Sequence, residues 1–299
     1  MKTPLLLDTD IGSDIDDAVA LGYLLRQSDC ELLGITTVTG DTAKRAALAE
    51  IICREEGRED IPIHAGLTGP LVHGPGQPEV PQYDAVAHMP HRTDYPTGAG
   101  AVLFLRDTIR AHPGEITLFA IGPMTNIATL FALDPEIPSL LKRIVFMCGV
   151  FTNGPVGHVG AREWNSLVDP IAAGIVYGTA HTAPFISVGL DVTMQCKLPA
   201  DECRTRFAKA GGALGVVATM AEVWFQHSSV ITFHDPLAAA WIFEPSIGKE
   251  AEGRVIVHTD NDELAGLTAW HPKVGGPHRI AADVDPAAFF AHYFEIVRG

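Results

Sequence analysis

The stretch "LLLDTDIGSDIDDAVALGYLL", residues 5–25, decides the fold because it joins a short apolar run to a longer helical pattern. The apolar run predicts a buried strand, and the apolar residues after residue 17 recur at helical spacing. Five aspartates lie between or within these patterns, namely Asp8, Asp10, Asp14, Asp16 and Asp17. Carboxylates repel one another, and no basic residue lies in this stretch, so their concentration needs a chemical reason.

The same order of strand and helix continues along the chain. Further short apolar runs are "ELLGITTV" (31–38), "ITLFAIG" (116–122), "RIVFMCG" (143–149) and "PFISVGLDV" (184–192). Because these runs are continuously apolar, they predict a mostly parallel sheet covered on both faces, the doubly wound, Rossmann-like α/β arrangement. Such sheets bind ligands at the carboxyl ends of their strands. Since no linker interrupts the pattern, we predict one domain over residues 1–299.

Composition narrows the class of protein. The 299 residues carry a formal net charge of −15, which argues against nucleic acid as a partner but not against an uncharged nucleoside. Five cysteines without metal-ligand spacing predict free thiols in a reducing compartment. The short apolar stretch near the N-terminus does not resemble a signal peptide, and no apolar run has membrane-spanning length. We therefore expect a cytoplasmic protein without a membrane partner.

The aspartate cluster is typical of a metal site. Asp16 and Asp17 would complement the dipole of the following helix, and Asp8 would cap a turn, but these roles leave other carboxylates unexplained. A divalent cation would offset the negative charges of the five aspartates, and oxygen ligands favour Ca²⁺ or Mg²⁺. An EF-hand loop counted from Asp8 would need Gly at its sixth position and Glu at its twelfth, but the chain has Ser13 and Val19 there. The stretch is therefore not an EF-hand loop.

A phosphatase of the haloacid dehalogenase type is one alternative. Its signature also begins with an apolar strand and two aspartates separated by one residue. The position two residues further on, commonly Thr or Val, is Gly12 here. This alternative predicts a Mg²⁺ cofactor, phosphate-ester substrates and an essential Asp8.

A set of ordered motifs favours a different family. "DTDIGSDIDDAVAL" resembles the N-terminal signature of the inosine–uridine-preferring nucleoside hydrolases. It is followed in the family's order by "AIGPMTNIA" (120–128), "EWNSLVDP" (163–170), "GLDVT" (189–193) and "FHDPLAAA" (233–240). The resemblance implies the nucleoside hydrolase fold and calcium-dependent hydrolysis of the N-glycosidic bond of ribonucleosides. It also implies a homodimer or homotetramer.

The resemblance implies a set of calcium ligands. These are Asp10, Asp17, Asp235 and the backbone carbonyl of Thr125. Asp10 would also take a proton from the metal-bound water that attacks the sugar. From the local sequence alone, Thr125 or Asn126 also fits a helix N-cap, and Asp235 before Pro236 fits another.

The resemblance also implies residues that contact the substrate. Asp16 would accept hydrogen bonds from the ribose hydroxyls, and Asp14 either shares the sugar or supports the metal ligands. His234 would lie near the base as a proton donor. Glu163 and Asn165, with Trp164 between them, would bind the 5′ side of the sugar, and in a strand the first two would share one face.

Three segments depart from the family or remain open. Asp41 stands where the family commonly has an asparagine that donates to the ribose, whereas a carboxylate accepts. Because of Asp41, a non-catalytic nucleoside or sugar binder on the same fold is a second alternative.

Asn153 or His158 would replace another family asparagine. Two further groups are candidates for contacting the base, His88 and His91 in the irregular stretch 66–97, and Trp224 to His227.

Overall fold

The computed structural model describes residues 2–152, 162–260 and 263–298. Its strands are β1 (Thr3–Thr9), β2 (Cys30–Thr37), β3 (Ile63–Ala65), β4 (Thr117–Ala120), β5 (Arg143–Met147), β6 (Phe185–Val188), β7 (Lys197–Pro199), β8 (Val230–Thr232), β9 (Gly248–Val257), β10 (Thr268–Pro272) and β11 (His278–Val284). Strands form at each of the continuous apolar runs quoted above, and further strands form where no such run was identified, among them β3, β7 and β8.

Within the described residues, nine of these strands form one sheet in the order β10-β9-β11-β6-β5-β4-β1-β2-β3. Strands β1 to β6 and β11 pair in parallel, and β9 is antiparallel to both β10 and β11. Strands β7 and β8 form a separate antiparallel pair. The predicted α/β class with a mostly parallel sheet is confirmed.

Helices cover both faces of this sheet. They are α1 (Asp16–Arg26), α2 (Thr42–Glu55), α3 (Tyr83–Val86), α4 (Ala99–Ala111), α5 (Thr125–Leu133), α6 (Ile137–Leu140), α7 (Trp164–Val168), α8 (Pro170–Gly178), α9 (Leu190–Thr193), α10 (Ala200–Ala210), α11 (Ala213–Trp224), α12 (His234–Phe243) and α13 (Pro286–Val297).

The core lies in two layers, because successive side chains of a strand point to opposite faces. Leu5 and Leu7 of β1 pack in the layer that contains α1, α2 and α10 to α13. Leu6 packs in the opposite layer with α4, α5 and α8. Burial on both faces explains why β1 is apolar without alternation.

The irregular stretch between β3 and α4 contains the four-residue helix α3 as its one regular element in the structure. It contacts the loop after β1. The backbone carbonyl of Glu79 accepts a hydrogen bond from Ser13 Oγ at 3.1 Å, and Gln82 Nε2 donates to the Ser13 carbonyl at 3.1 Å. The stretch is therefore fixed beside the aspartate-rich loop.

One local prediction is wrong. Glu163 and Asn165 do not lie in a strand, because Glu163 is the N-cap of α7 and Asn165 lies in its first turn. The Glu163 carboxylate accepts from the backbone amides of Asn165 and Ser166, at 2.6 and 3.1 Å. A carboxylate at this position satisfies amides that a helix leaves unpaired, which favours the helix over a strand.

Among the described residues, no helix combines the length and the apolar character that a bilayer crossing requires.

Candidate active site

The site lies at the carboxyl ends of the parallel strands, where helices begin. Asp10 follows β1, and α1 begins six residues later at Asp16. Gly12 has a φ of +117°, a conformation that L side chains rarely adopt, and so permits the turn between them. Gly122 follows β4, and a Cβ there would lie 2.9 Å from the Asp10 amide nitrogen. Both glycines therefore allow the backbone to bring Asp10 to this edge.

A cavity of about 560 Å³ opens at this edge. Its lining brings together ten residues that the sequence analysis names for the site. They are Asp10, Asp14, Asp16, Asp17, Glu163, Trp164, Asn165, Trp224, His234 and Asp235. The other lining residues are Ser13, Gln77, Ile121, Met147, Arg162, Leu190 and Met194. Carboxylates thus share one concave surface with aromatic and aliphatic side chains, as in many small-molecule sites.

Three buried carboxylates form the core of the site. Oxygen atoms of Asp16, Asp17 and Asp235 all lie within 4.8 Å of one another. Burial, and then the neighbouring negative charges, raise the pKa of each of these carboxyls well above its usual range. Charges this close are costly to bury without a compensating cation, and carboxylate oxygens suit a hard divalent ion.

Asp10 and Asp14 lie beside this core. Burial raises the pKa of Asp10 to about 6, although the positive charge of Arg45 opposes the shift. Burial also raises the pKa of Asp14 to about 6, and its Oδ1 accepts a hydrogen bond from the Ile15 amide at 2.6 Å. Thr9 Oγ1 donates to Asp17 Oδ1 and fixes that side chain from the end of β1.

Thr125 is the first residue of α5 and lies outside the cavity lining. The helix therefore begins one residue earlier than an N-cap at Thr125 would require. The Thr125 hydroxyl donates to Asp169 Oδ2 at 2.7 Å, and its carbonyl accepts from Thr129 Oγ1 at 2.8 Å. Asp169 also caps α8 by accepting from the Ala172 amide at 3.0 Å.

Asp41 also lies outside the cavity lining. It is the N-cap of α2 and accepts from the Lys44 amide at 3.1 Å. Its side chain is 43% exposed and pairs with Lys44 Nζ at 3.7 Å. The structure accounts for Asp41 through these two contacts, whereas the predicted ribose contact remains a prediction.

The side-chain amide nitrogen of Asn165 is used by the backbone, which leaves its oxygen as the acceptor. Both hydrogens of its Nδ2 are used, because this atom donates to the carbonyls of Ile121 and Met147 at 2.7 and 3.0 Å. Glu163 is a second acceptor, and burial raises the pKa of its carboxyl, opposed by backbone amide donors. Both side chains can therefore accept hydrogen bonds from hydroxyl groups.

Trp164 and Gln77 form part of the cavity wall. Trp164 is 47% exposed, and its indole Nε1 donates to Gln77 Oε1 at 2.5 Å. This contact joins α7 to the irregular stretch 66–97. Sequence reasoning did not single out Gln77, because no motif distinguishes it within that stretch.

His234 is the first residue of α12, so this helix begins one residue before Asp235 and not after it. The ring nitrogen Nδ1 of His234 lies 2.7 Å from Thr193 Oγ1. Burial, and then the charge of Lys197, lower the pKa of His234 to about 4. The ring is therefore neutral at pH 7. Trp224 lies in the same cavity wall, as expected for a residue near the base.

Asp8 lies behind the cavity and not in its lining. It is fully buried, and its Oδ1 accepts from Thr36 Oγ1 and, at 2.7 Å, from Asn126 Nδ2. Asn126 also donates to the Thr37 carbonyl and accepts from the Leu67 amide, both at 3.0 Å. Asn126 therefore ties three strand ends together. A buried Asp8 does not fit the nucleophile that the phosphatase alternative requires.

Arg45 is the main residue that sequence reasoning missed. It is fully buried in α2 and donates to the backbone around Asp10. A signal exists in the sequence, because Leu48, Ala49 and Ile52 share its helix face at spacings of three, four and seven residues.

The remaining predicted residues do not line the cavity within the described part of the chain. Asn153 and His158 lie outside the described residues. His91 contacts Tyr83 Oη at 3.0 Å and the Met89 carbonyl at 2.7 Å, and like His88 it lies outside the cavity lining.

The site is thus a cavity lined by buried carboxylates at the carboxyl edge of a mostly parallel α/β sheet, where such sheets bind small ligands. The family model described as inosine-uridine preferring nucleoside hydrolase matches residues 5–291. The chain belongs to this family, whose members cleave N-glycosidic bonds.

Similar proteins agree with this assignment. The pyrimidine-specific ribonucleoside hydrolase RihA of Klebsiella pneumoniae (strain 342) is 30% identical, over 97% of this chain and 96% of its own. The non-specific ribonucleoside hydrolase RihC of Escherichia coli O1:K1 / APEC is 31% identical, over 90% and 88%. The structure of the plant nucleoside hydrolase PpNRh1 has a TM-score of 0.84 and 25% identity, with both chains fully covered.

Proposed function

We propose that this chain hydrolyses ribonucleosides to ribose and free base and that it requires calcium. The observation that carries the proposal is the group of buried carboxylates of Asp16, Asp17 and Asp235, which share a cavity with Asp10 in a nucleoside hydrolase. The cavity volume of about 560 Å³ is large enough for a small organic ligand.

The donor set fits a calcium ion. Asp10, Asp17 and Asp235 offer carboxylate oxygens, and Thr125 offers its backbone carbonyl. That carbonyl accepts a hydrogen bond from Thr129 Oγ1 in the structure, and the family resemblance, rather than its present contacts, supports its role as a ligand. When bound, calcium would supply positive charge that offsets the cluster and makes a coordinated water more acidic.

The acceptors in the cavity match the hydroxyl groups of ribose. Asp16 and Asp14 lie at the start of α1, and Glu163 and Asn165 lie at the start of α7. We propose that the first pair accepts from the hydroxyls on one side of the sugar and that the second pair accepts on the 5′ side. Trp164 would pack against the sugar between Glu163 and Asn165.

The chemistry follows from the groups on either side of the anomeric carbon. Asp10 would accept a proton from the attacking water as its oxygen bonds to that carbon and the bond to the base nitrogen breaks. The several carboxylates would stabilise the positive charge that develops on the sugar. His234 is neutral at pH 7, so its one ring N–H would donate a hydrogen bond to the departing base nitrogen, and the base would take its proton from solvent.

The experiment is reducing-sugar release from a panel of purine and pyrimidine ribonucleosides, with Asp10→Asn as the variant. We expect hydrolysis by the wild type and a loss in kcat of about 100-fold or more in Asp10→Asn, the order expected for losing a general base. Nucleoside binding without sugar release by the wild type would instead support the non-catalytic binder. Full activity in Asp10→Asn would contradict the role of Asp10.

A further inference from the structure

The guanidinium of Arg45 joins three separate segments around the cavity. It is fully buried, and its Nη1 donates to the carbonyls of Asp10 and, at 3.0 Å, Ile11. Its Nε donates to the Thr39 carbonyl at 2.8 Å, and its Nη2 donates to the Gln77 carbonyl at 2.8 Å. One side chain therefore fixes the loop after β1, the loop after β2 and the irregular stretch 66–97 relative to one another.

All of these acceptors are neutral. Within the described part of the chain, no carboxylate lies at ion-pair distance from Arg45, and its remaining contacts are Ser13 Oγ at 3.0 Å and a long one to the Glu79 carbonyl. The carboxylates whose charges act on it are chiefly those of Asp10 and Asp17. A buried cation is costly without a balancing charge. The aspartate cluster, which would bind the metal ion, therefore also offsets the positive charge of the Arg45 guanidinium.

Two of the joined segments contribute to the cavity wall. Asp10 contributes its side chain, and Gln77 lines the cavity and contacts Trp164. The segments also pack closely, because a Cβ on Gly40 would lie 2.1 Å from the Gln77 carbonyl oxygen. A shift at Arg45 would therefore move both parts of the cavity wall.

We propose that Arg45 is a positioning residue, whose planar fork holds the Asp10 loop in the geometry that binds the metal and holds Gln77 against the cavity. This inference rests on the proposed function, because it takes the carboxylate cluster to be the metal site. Arg45 acts through backbone carbonyls and does not touch the substrate.

Replacing Arg45 with lysine distinguishes a positioning role of the guanidinium from an effect of its charge alone. Arg45→Lys keeps one positive charge, but a single ammonium on a flexible stem cannot reproduce the rigid fork that reaches several carbonyls. If Arg45 acts through its charge alone, Arg45→Lys retains calcium affinity. If it acts by positioning, calcium affinity falls.

Arg26 offers a matched control away from the cavity. Its guanidinium also donates to backbone carbonyls, those of Val297 at 2.6 Å and Gly211 at 2.9 Å, and it pairs with Glu56. Arg26→Lys therefore makes the same chemical change at a different place. We expect it to lower thermal stability and to leave calcium affinity unchanged.

The experiment is calorimetric titration of chelated wild type, Arg45→Lys and Arg26→Lys with calcium, together with amide hydrogen exchange. We expect Arg45→Lys to bind calcium about tenfold or more weakly, as for other residues that orient metal ligands. Exchange should rise in residues 10–13 and 77–79 in that variant alone. A folded Arg45→Lys with wild-type calcium affinity would overturn the inference, and a wild type that binds no calcium would overturn the proposed function and the inference with it.

Discussion

At the scale of single residues, Asp41 tests how this chain differs from its family. Its side chain caps α2 and pairs with Lys44, outside the cavity lining. Asparagine caps a helix as well as aspartate does, and an exposed ion pair contributes little. We expect Asp41→Asn to change kcat/KM for the best ribonucleoside by less than about twofold, which is below 0.5 kcal/mol. A change of tenfold or more would establish the ribose contact that the sequence predicts.

Asn165 supports a second prediction at this scale. Its Nδ2 satisfies the carbonyls of Ile121 and Met147 at the ends of two strands. Asn165→Asp would turn a carboxylate oxygen toward them, and a buried group without its partner costs about 1–3 kcal/mol. We expect urea unfolding to show a loss of that size and steady-state kinetics to show a raised KM. Wild-type stability in this variant would mean that the side chain is oriented the other way.

The residues that sequence reasoning found and missed differ in a physical way. Asp17 and Asp235 are recognisable because metal ligation requires a carboxylate, and the two occur in distinctive motifs. Arg45 acts on backbone carbonyls, which every residue has, so no partner residue type marks its role. Asn126 is similar, since two of its three contacts are with the backbone.

At the scale of elements, the apolar runs predict the parallel strands because burial on both faces leaves a continuous signal. The start of α7 was not predicted, because a five-residue helix is too short to show helical periodicity. The start of α7 is determined by its N-cap residue, Glu163, which also lines the cavity. The cavity itself depends on long-range contacts such as the one between Trp164 and Gln77, which no local pattern reports.

Glu50 gives a prediction for the packing of α2 against the irregular stretch 66–97. Burial alone would raise the pKa of this carboxyl, but hydrogen bonds from Arg92, Tyr95 and Arg54 lower it to about 2. Because its pKa is lower in the folded state, the ionised Glu50 carboxylate stabilises the fold fully at pH values above the unfolded-state pKa of about 4.5. This stabilisation is lost as the pH falls toward 2. We expect Glu50→Gln to cost about 2 kcal/mol at pH 7, and roughly half of that at pH 3, measured by urea unfolding.

Glu202 provides the matched control. It pairs with Arg206 four residues along α10, and the two side chains are 42% and 44% exposed, whereas the side chain of Glu50 is 8% exposed. Such pairs contribute about 0.3–0.5 kcal/mol, so Glu202→Gln should have little effect at either pH. Equal losses in the two variants would contradict the distinction between a buried and an exposed ion pair.

At the scale of the whole molecule, we expect calcium binding to increase the thermal stability of the protein. The chain carries a net charge of −15, and its buried aspartates repel one another in the absence of a cation. A ligand at 100 times its Kd stabilises the native state by about 2.7 kcal/mol. For a chain of this size we expect calcium to raise the Tm of the chelated protein by roughly 5 °C, measured by calorimetry. The same calcium added to Asp17→Asn should give a much smaller rise, and an equal rise would mean that the ion binds elsewhere.

The central claim is that the aspartate cluster holds the cation on which ribonucleoside hydrolysis depends. It is tested most directly by reducing-sugar release from uridine and inosine, measured on the wild type before chelation, after chelation and after calcium is returned. We predict that chelation abolishes hydrolysis of the preferred substrate and that calcium restores it. Undiminished hydrolysis by the fully chelated protein would contradict the claim.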